Sequence, residues 1–163
     1  MTDINSHDVM KRLDALESQD AVRRLMADYM QACDDHRGRG VADLFWDDGV
    51  WEGMTHPVEI AEGREAIADM FEAAPRRLDF TVHYLTNESI TVAGDRATGC
   101  WKLLEPCVLE GRHALWMAGR YVNEFERRAG VWRFSRIRLW IDFFTPFEQG
   151  WLKQRFARIE PIG

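Results

Sequence analysis

Five histidines, His7, His36, His56, His83 and His113, are the side chains here whose ordinary pKa lies near neutrality. No pair of them, with or without a carboxylate, has a metal-ligand spacing, so no metal is expected. The chain also lacks a G-x-S-x-G elbow, a P-loop and a G-x-G-x-x-G run. Serine hydrolysis and nucleotide cofactors therefore lose their usual anchors. What remains is acid–base chemistry without a cofactor, for which a His paired with a carboxylate suffices. His83, flanked by Val82 and Tyr84, has two readings. It is either a core residue whose ring nitrogens are satisfied by neighbours, or a general base facing a cavity.

A catalytic His needs a partner that fixes its tautomer and supports its cation, usually Asp or Glu. Asp34, at the end of the helix that carries Tyr29, is the candidate that can point inward, and its neighbour Asp35 points elsewhere. At ~100° per residue, Tyr29 and Asp34 lie about 140° apart, so they converge only if the helix unwinds near Cys33. An Asp at a helix end reads equally well as a solvated residue. Strand alternation adds further candidates, with Trp101, Leu103 and Glu105 on one face and His113, Leu115, Met117, Gly119 and Tyr121 on another. Ordinary core is the default for the apolar members. Glu105 and His113, if inward, need partners, and either could act as a second acid. A strand-end surface position is the alternative.

The elements that must hold these residues follow from periodicity and punctuation. Ser6 or Asp8 can cap a helix in which Met10, Leu13 and Leu16 recur, followed by Val22, Leu25, Met26, Tyr29 and Met30. A break near Ser18-Gln19-Asp20 would divide it, and it should end around Asp34-Asp35-His36, since Gly38 and Gly40 follow. A helical turn at 41–45, a strand in LFWDDGVWEG broken by its Asp-Gly, an edge strand in HPVEIAEG and a helix in REAIADMFEAA closed by Pro75 come next. Strands are then predicted at about 78–92, 96–108, 112–127 and 131–144, with His83 in the middle of the first. Helices followed by an antiparallel meander make an α+β layout, a curved sheet wrapped on helices around a cone-shaped pocket. One domain is expected over 1–163, its core at about 8–145 and a tail at 146–163.

Composition sets limits. A net charge of −6, with arginines scattered rather than striped, gives no support for nucleic-acid or anionic-membrane binding. Cys33, Cys100 and Cys107 suit neither a disulfide framework nor a zinc site. The polar N-terminus lacks a signal core, no run approaches the ~20 apolar residues of a membrane span, and a cytoplasmic location is expected. Seven Trp in 163 residues mark an apolar cavity or a subunit interface.

Several patterns in order carry a resemblance: Tyr29-x4-Asp34 leading into LFWDDGVWEG, then GREAIADMF, VHYLTNESITVAGDRATGCW, GRYVNEFERRAGVWRFSR and FFTPFEQGW. Together they resemble the SnoaL-like branch of the nuclear-transport-factor-2-like superfamily. That resemblance implies a cone-shaped α+β fold, a homo-oligomer (trimer or dimer), and lyase chemistry on a mostly apolar cyclic small molecule without a cofactor. By the same resemblance His83 takes the base position, Asp34 the orienting position and Tyr29 a third catalytic position. Tyr29 falls where dehydratase members carry Tyr and dehydrochlorinase members Lys. Family members also place an Arg on the inward face of the last strand. Counted from Trp132, those positions here are Ile137 and Ile141, while Arg136 and Arg138 alternate with them, and a one-residue bulge would turn an arginine such as Arg138 inward. The absent Lys speaks against halide elimination and favours a hydroxyl or carbonyl as the group acted on. An isomerase or cyclase would use the same dyad. Ligand binding without turnover, or a dioxygenase small-subunit role, is the non-catalytic alternative.

Overall fold

The computed structural model describes residues 5–55 and 57–157. His56 and the last six residues of the predicted tail lie outside them. Helix α1 runs unbroken over Ser6–Asp34, capped by Asn5, whose side chain accepts the His7 amide, rather than by Ser6 or Asp8. No break occurs at Ser18–Asp20. Asp20 instead pairs with Arg23 and Arg24 one turn on, at 3.6 and 2.7 Å, and these i,i+3 and i,i+4 pairs support the helix they were expected to interrupt. Met10, Leu13 and Leu16 are exposed; burial begins at Ser18 and continues through Val22, Met26 and Tyr29.

The end of α1 is sharply defined. The His36 amide bonds the Cys33 carbonyl and the Arg37 amide reaches back to Ala32, with His36 at φ 53°. This is a Schellman closure with a non-glycine residue in the left-handed region. It stops the helix one residue after Asp34. Helix α2 (Gly38–Ala42) follows, and it packs so tightly on α3 (Arg64–Ala73) that a Cβ on Gly38 would lie 2.6 Å from the Glu72 backbone nitrogen.

One seven-stranded sheet covers these helices. Its strands are β1 (Phe45–Gly53), β2 (Glu59–Glu62), β3 (Leu78–Thr81), β4 (Tyr84–Ala93), β5 (Arg96–Leu109), β6 (His113–Arg128) and β7 (Val131–Pro146). The order is β2-β1-β7-β6-β5-β3, with β4 also on β5, and β1 lies parallel to β7 while the other pairs are antiparallel. A three-residue turn, Glu110-Gly111-Arg112, joins β5 to β6 and a two-residue turn, Ala129-Gly130, joins β6 to β7, with Glu110, Gly111, Ala129 and Gly130 all at positive φ. Bulges near Asn87, between Gly119 and Ala118, and between Phe125 and Glu124 bend the sheet around α1. The result is a helices-on-curled-sheet cone whose core gathers Tyr29, Phe45, Phe125, Phe134 and Ile137 between α1 and the concave face. Among the described residues, no helix is long and apolar enough to cross a membrane.

Candidate active site

His83 is not in the middle of a strand. It sits in a gap, because β3 ends at Thr81 and β4 begins at Tyr84, although both pair with β5. Pro106 of β5 lies opposite this gap, and its carbonyl accepts the Val82 amide, so its ring nitrogen faces the same edge with no hydrogen to donate. The ladder is interrupted there. The His83 amide is released from the sheet and bonds Asp34 Oδ2 on α1, 3.1 Å away.

The same carboxylate holds the ring. His83 Nδ1 lies 2.6 Å from Asp34 Oδ1, and the Thr81 hydroxyl donates to that oxygen at 3.0 Å. With Nδ1–H donated to a carboxylate, the neutral ring keeps its lone pair on Nε2. That nitrogen lies 3.2 Å from Oε2 of Glu105. The imidazole is therefore held between two carboxyl groups, and the His83 and Glu105 side chains are only 9% and 1% exposed. The Nε2–Oε2 approach is not aligned as a hydrogen bond, and Glu105 Oε2, though buried, has no hydrogen-bond partner among the described residues. Asp34 needs no helix unwinding to get here. It leaves α1 sideways toward β3 and β4 while Tyr29 faces the core.

Burial and charge push these groups apart. Burial opposes the Asp34 carboxylate, but the hydrogen bonds from the His83 ring, the His83 amide and Thr81 outweigh it and lower its pKa. Burial disfavours the His83 cation, yet the bond to Asp34 and the charge of Glu105 prevail and raise its pKa above the ordinary value. Burial dominates at Glu105, whose pKa rises from an ordinary 4.5 to about 7, with the His83 charge opposing and the Asp34 charge adding to the rise. A buried carboxyl with its pKa pushed up to about 7 and an imidazole with its pKa raised therefore stand side by side.

A second, uncharged polar group lies deeper along α1. The Trp51 indole N–H donates to the Tyr29 hydroxyl at 2.9 Å, and that hydroxyl also lies beside the Cys33 thiol and the Tyr121 hydroxyl. Desolvation raises the pKa of Tyr29, Tyr121 and Cys33, so all three stay neutral. Trp101 and Leu103 are buried on the concave face and Met117, opposite Glu105, is half-buried on it. Ile137 is fully buried, between Trp51 and Asn123 in register.

Two candidates fall elsewhere. His113 is exposed at the start of β6, beside the turn from β5, the strand-end position that alternation alone could not distinguish from an inward one. Arg138 lies on the outer face, bonded to Glu52 at 3.0 Å and Glu124 at 2.8 Å, with Arg136 on the same Glu52 at 2.7 Å. A bulge does exist in β7, at Ser135, and it acts the opposite way to the one envisaged. It makes Ile137 and Leu139, not the arginines, continue the buried face of Trp132 and Phe134. Sequence reasoning missed Thr81, Trp51 and Asn123. Thr81 is two residues from His83 and Asn123 two from Tyr121, so same-face alternation could have found both. Nothing local marked Trp51. Asn123 is fully buried, gives its amide to Met26 Sδ at 3.3 Å and leaves Oδ1 without a partner among the described residues. Among the described residues no group of three or more His, Cys, Asp or Glu is arranged to hold a metal ion.

Known proteins share this arrangement of elements. Hexachlorocyclohexane dehydrochlorinase 1 of Sphingobium indicum is 32% identical over 143 residues, spanning 84% of this chain and 90% of the relative. The crystal structure of a type 2 hexachlorocyclohexane dehydrochlorinase superposes with a TM-score of 0.78 at 30% identity, covering 93% of this chain and 99% of that one. A putative scytalone dehydratase from Novosphingobium aromaticivorans shares the fold, with a TM-score of 0.73 at 23% identity over 91% and 95% of the two chains. The SnoaL-like domain description matches residues 14–138, which hold the last two-thirds of α1, the gap at His83 and the buried strand of Glu105, and the chain belongs to that family.

Proposed function

We propose that the protein is a cofactor-independent lyase that eliminates water from a mostly apolar cyclic molecule bearing a hydroxyl β to a carbonyl. The observation that carries this reading is the buried His83 ring held between Asp34 and Glu105 at 2.6 and 3.2 Å. His83 Nε2 takes the proton on the carbon next to the carbonyl, and that C–H pair becomes the new C=C bond. The C–O bond breaks, and Glu105 gives its proton to the departing hydroxyl, which leaves as water. The resulting imidazolium and carboxylate face each other across 3.2 Å, so the proton can return from Nε2 to Oε2 and reset the site. Asp34 orients the ring and stabilises its cation throughout. The neutral hydroxyl of Tyr121, with that of Tyr29 behind it, offers a donor to the carbonyl as it gains charge.

Dehydration rather than loss of halide is favoured by the acid. Hydroxide is a poor leaving group and needs a proton; Glu105, with its pKa pushed up to about 7, keeps that proton in a large fraction of molecules near neutral pH, and its Oε2 lacks a hydrogen-bond partner among the described residues. A departing chloride needs a cation instead, and Arg136 and Arg138 are committed to carboxylates on the far face of the sheet. The relatives that act on hexachlorocyclohexane are the one reason to weigh dehydrochlorination as a second reading. Incubation with a cyclic β-hydroxyketone is expected to give a product lighter by one water, and incubation with hexachlorocyclohexane to release little chloride. A product of unchanged mass would make the protein an isomerase, and rapid chloride release would make it a dehydrochlorinase.

The chain is also proposed to self-associate, as a trimer or dimer. Phe147 and Trp151, near the end of the described residues, are 59% and 61% exposed. Light scattering of the purified chain at the monomer mass would overturn this.

A further inference from the structure

We infer that Tyr121 is the residue that touches the substrate's carbonyl oxygen, and that Trp51 and Tyr29 are positioning residues that aim its hydroxyl. The inference rests on the lyase reading and deepens it. Tyr29 Oη already accepts the Trp51 indole N–H at 2.9 Å. An indole N–H donates only, so one Tyr29 lone pair is used and its own hydrogen must point away from Trp51. Two acceptors lie on that side, the Cys33 thiol and the Tyr121 hydroxyl. Oxygen is the stronger acceptor of the two, and the two rings meet edge to face, with centroids 6.2 Å apart and planes at 85°. Each donor in the series Trp51, Tyr29, Tyr121 thus occupies the acceptor site of the next. The last hydrogen, on Tyr121, has no acceptor among the described residues and is left for a ligand.

Position agrees with this direction. Tyr29 is enclosed on four sides by the rings of Phe45, Phe71, Tyr121 and Phe134, at 5.5–6.3 Å. Its oxygen is also occupied on one side by the Trp51 indole. Tyr121 stands on the concave face beside Trp101 and Leu139, close enough to the Asp34 and Glu105 carboxylates for both to act on it. Gly119, two residues along the same face, presents no side chain, and a Cβ there would lie 2.1 Å from the Trp140 carbonyl. The relay is also rigid at its origin, since the Trp51 ring packs edge-on against Phe71, with centroids 5.9 Å apart, and a Cβ on Gly53 would approach it to 3.2 Å. Donors lined up in this way polarise one another, so the terminal hydroxyl is a better donor than an isolated phenol.

The test uses cyclohex-2-enone labelled with 13C at the carbonyl as the probe, and reads its carbonyl resonance in the complex by NMR. A hydrogen bond to the oxygen moves that resonance downfield. In the wild-type protein the bound signal is expected downfield of its position in apolar solvent. Tyr121→Phe should remove the displacement, whereas Tyr29→Phe and Trp51→Phe should reduce it without removing it. In the Tyr29→Phe background, Trp51→Phe should change nothing more, because Trp51 acts only through Tyr29. With a β-hydroxyketone substrate, kcat should fall roughly tenfold or more in Tyr121→Phe and less in the other two. An undisplaced wild-type signal, a full displacement that survives Tyr121→Phe, loss of displacement in Tyr29→Phe alone, or no bound probe at saturating concentration would each overturn the assignment. The resonance reports the hydrogen bond without turnover. A displaced signal in a protein that removes no water would therefore leave the relay standing and remove only the lyase reading.

Discussion

His83→Ala is expected to lower kcat by ~10²–10⁴-fold, the usual contribution of a positioned general base, with the fold unchanged. The ring makes no backbone contact that an Ala would lose, because the bond from the residue's amide to Asp34 Oδ2 stays. Asp34→Asn is the more informative partner. The carboxylate accepts three bonds, from His83 Nδ1, the His83 amide and the Thr81 hydroxyl, and it donates none. An Asn offers one oxygen and one NH2 group. With its NH2 toward Nδ1, the imidazole must carry its proton on Nε2 and loses the lone pair that takes the substrate proton. With its NH2 toward the His83 amide, two donors face each other and the ring is displaced. Either way activity should fall by orders of magnitude. Steady-state kinetics on the elimination substrate, beside thermal unfolding of the same samples, checks both variants; near-wild-type turnover in either would remove the dyad from the mechanism.

Glu105→Gln should separate activity from stability. The Glu105 proton is held to about pH 7 in the folded protein, against an ordinary 4.5. The folded state is thus favoured where the carboxyl is protonated in both states, below the ordinary value, and it loses stability as pH rises through about 7. The gap corresponds to about 3 kcal/mol, an upper figure because the His83 cation shares the charge. Gln keeps the shape and removes the titration. Its stability relative to wild type should grow between pH 5 and pH 8, read from denaturant midpoints at each pH. Catalysis should move the other way. Wild-type kcat/KM should be bell-shaped around neutrality, limited on the acid side by loss of the free base and on the alkaline side by loss of the acid. The Gln variant should lose the alkaline limb and most of its rate, and its acid limb should shift to lower pH because the charge that raised the His83 pKa is gone. A wild-type-shaped profile in Glu105→Gln would exclude Glu105 as the acid.

Much of the cone was legible because its signals are local. Gly111 and Gly130 mark turns, alternation marks β5 to β7, and the 3.6-residue recurrence from Val22 to Met30 marks the buried stretch of α1. His83 and Asp34 were legible as a pair through the order of family patterns, not through their own neighbours. What escaped depends on relations across strands. The gap at His83 is caused by Pro106, more than twenty residues away, whose effect exists only once β5 lies opposite. The outward turn of Arg138 depends on a bulge at Ser135 that sheet curvature selects and no turn residue announces. The 140° between Tyr29 and Asp34 looked like an obstacle because both were imagined to act from one helical face. The structure meets them from different sides, Asp34 by the β3–β4 gap and Tyr29 by β1 and β6.

The double attachment of His83 has a consequence for the entropy of catalysis. One carboxylate accepts both the main-chain amide and the ring Nδ1 of the same residue, at 3.1 and 2.6 Å. The rotatable bonds between those two nitrogens are χ1 and χ2, and both are closed into one small hydrogen-bonded ring. The freedom that a surface histidine would lose each time it aligned with a substrate is lost once, when the chain folds. The interruption that Pro106 makes in the sheet is therefore what lets the base arrive at every turnover already in place.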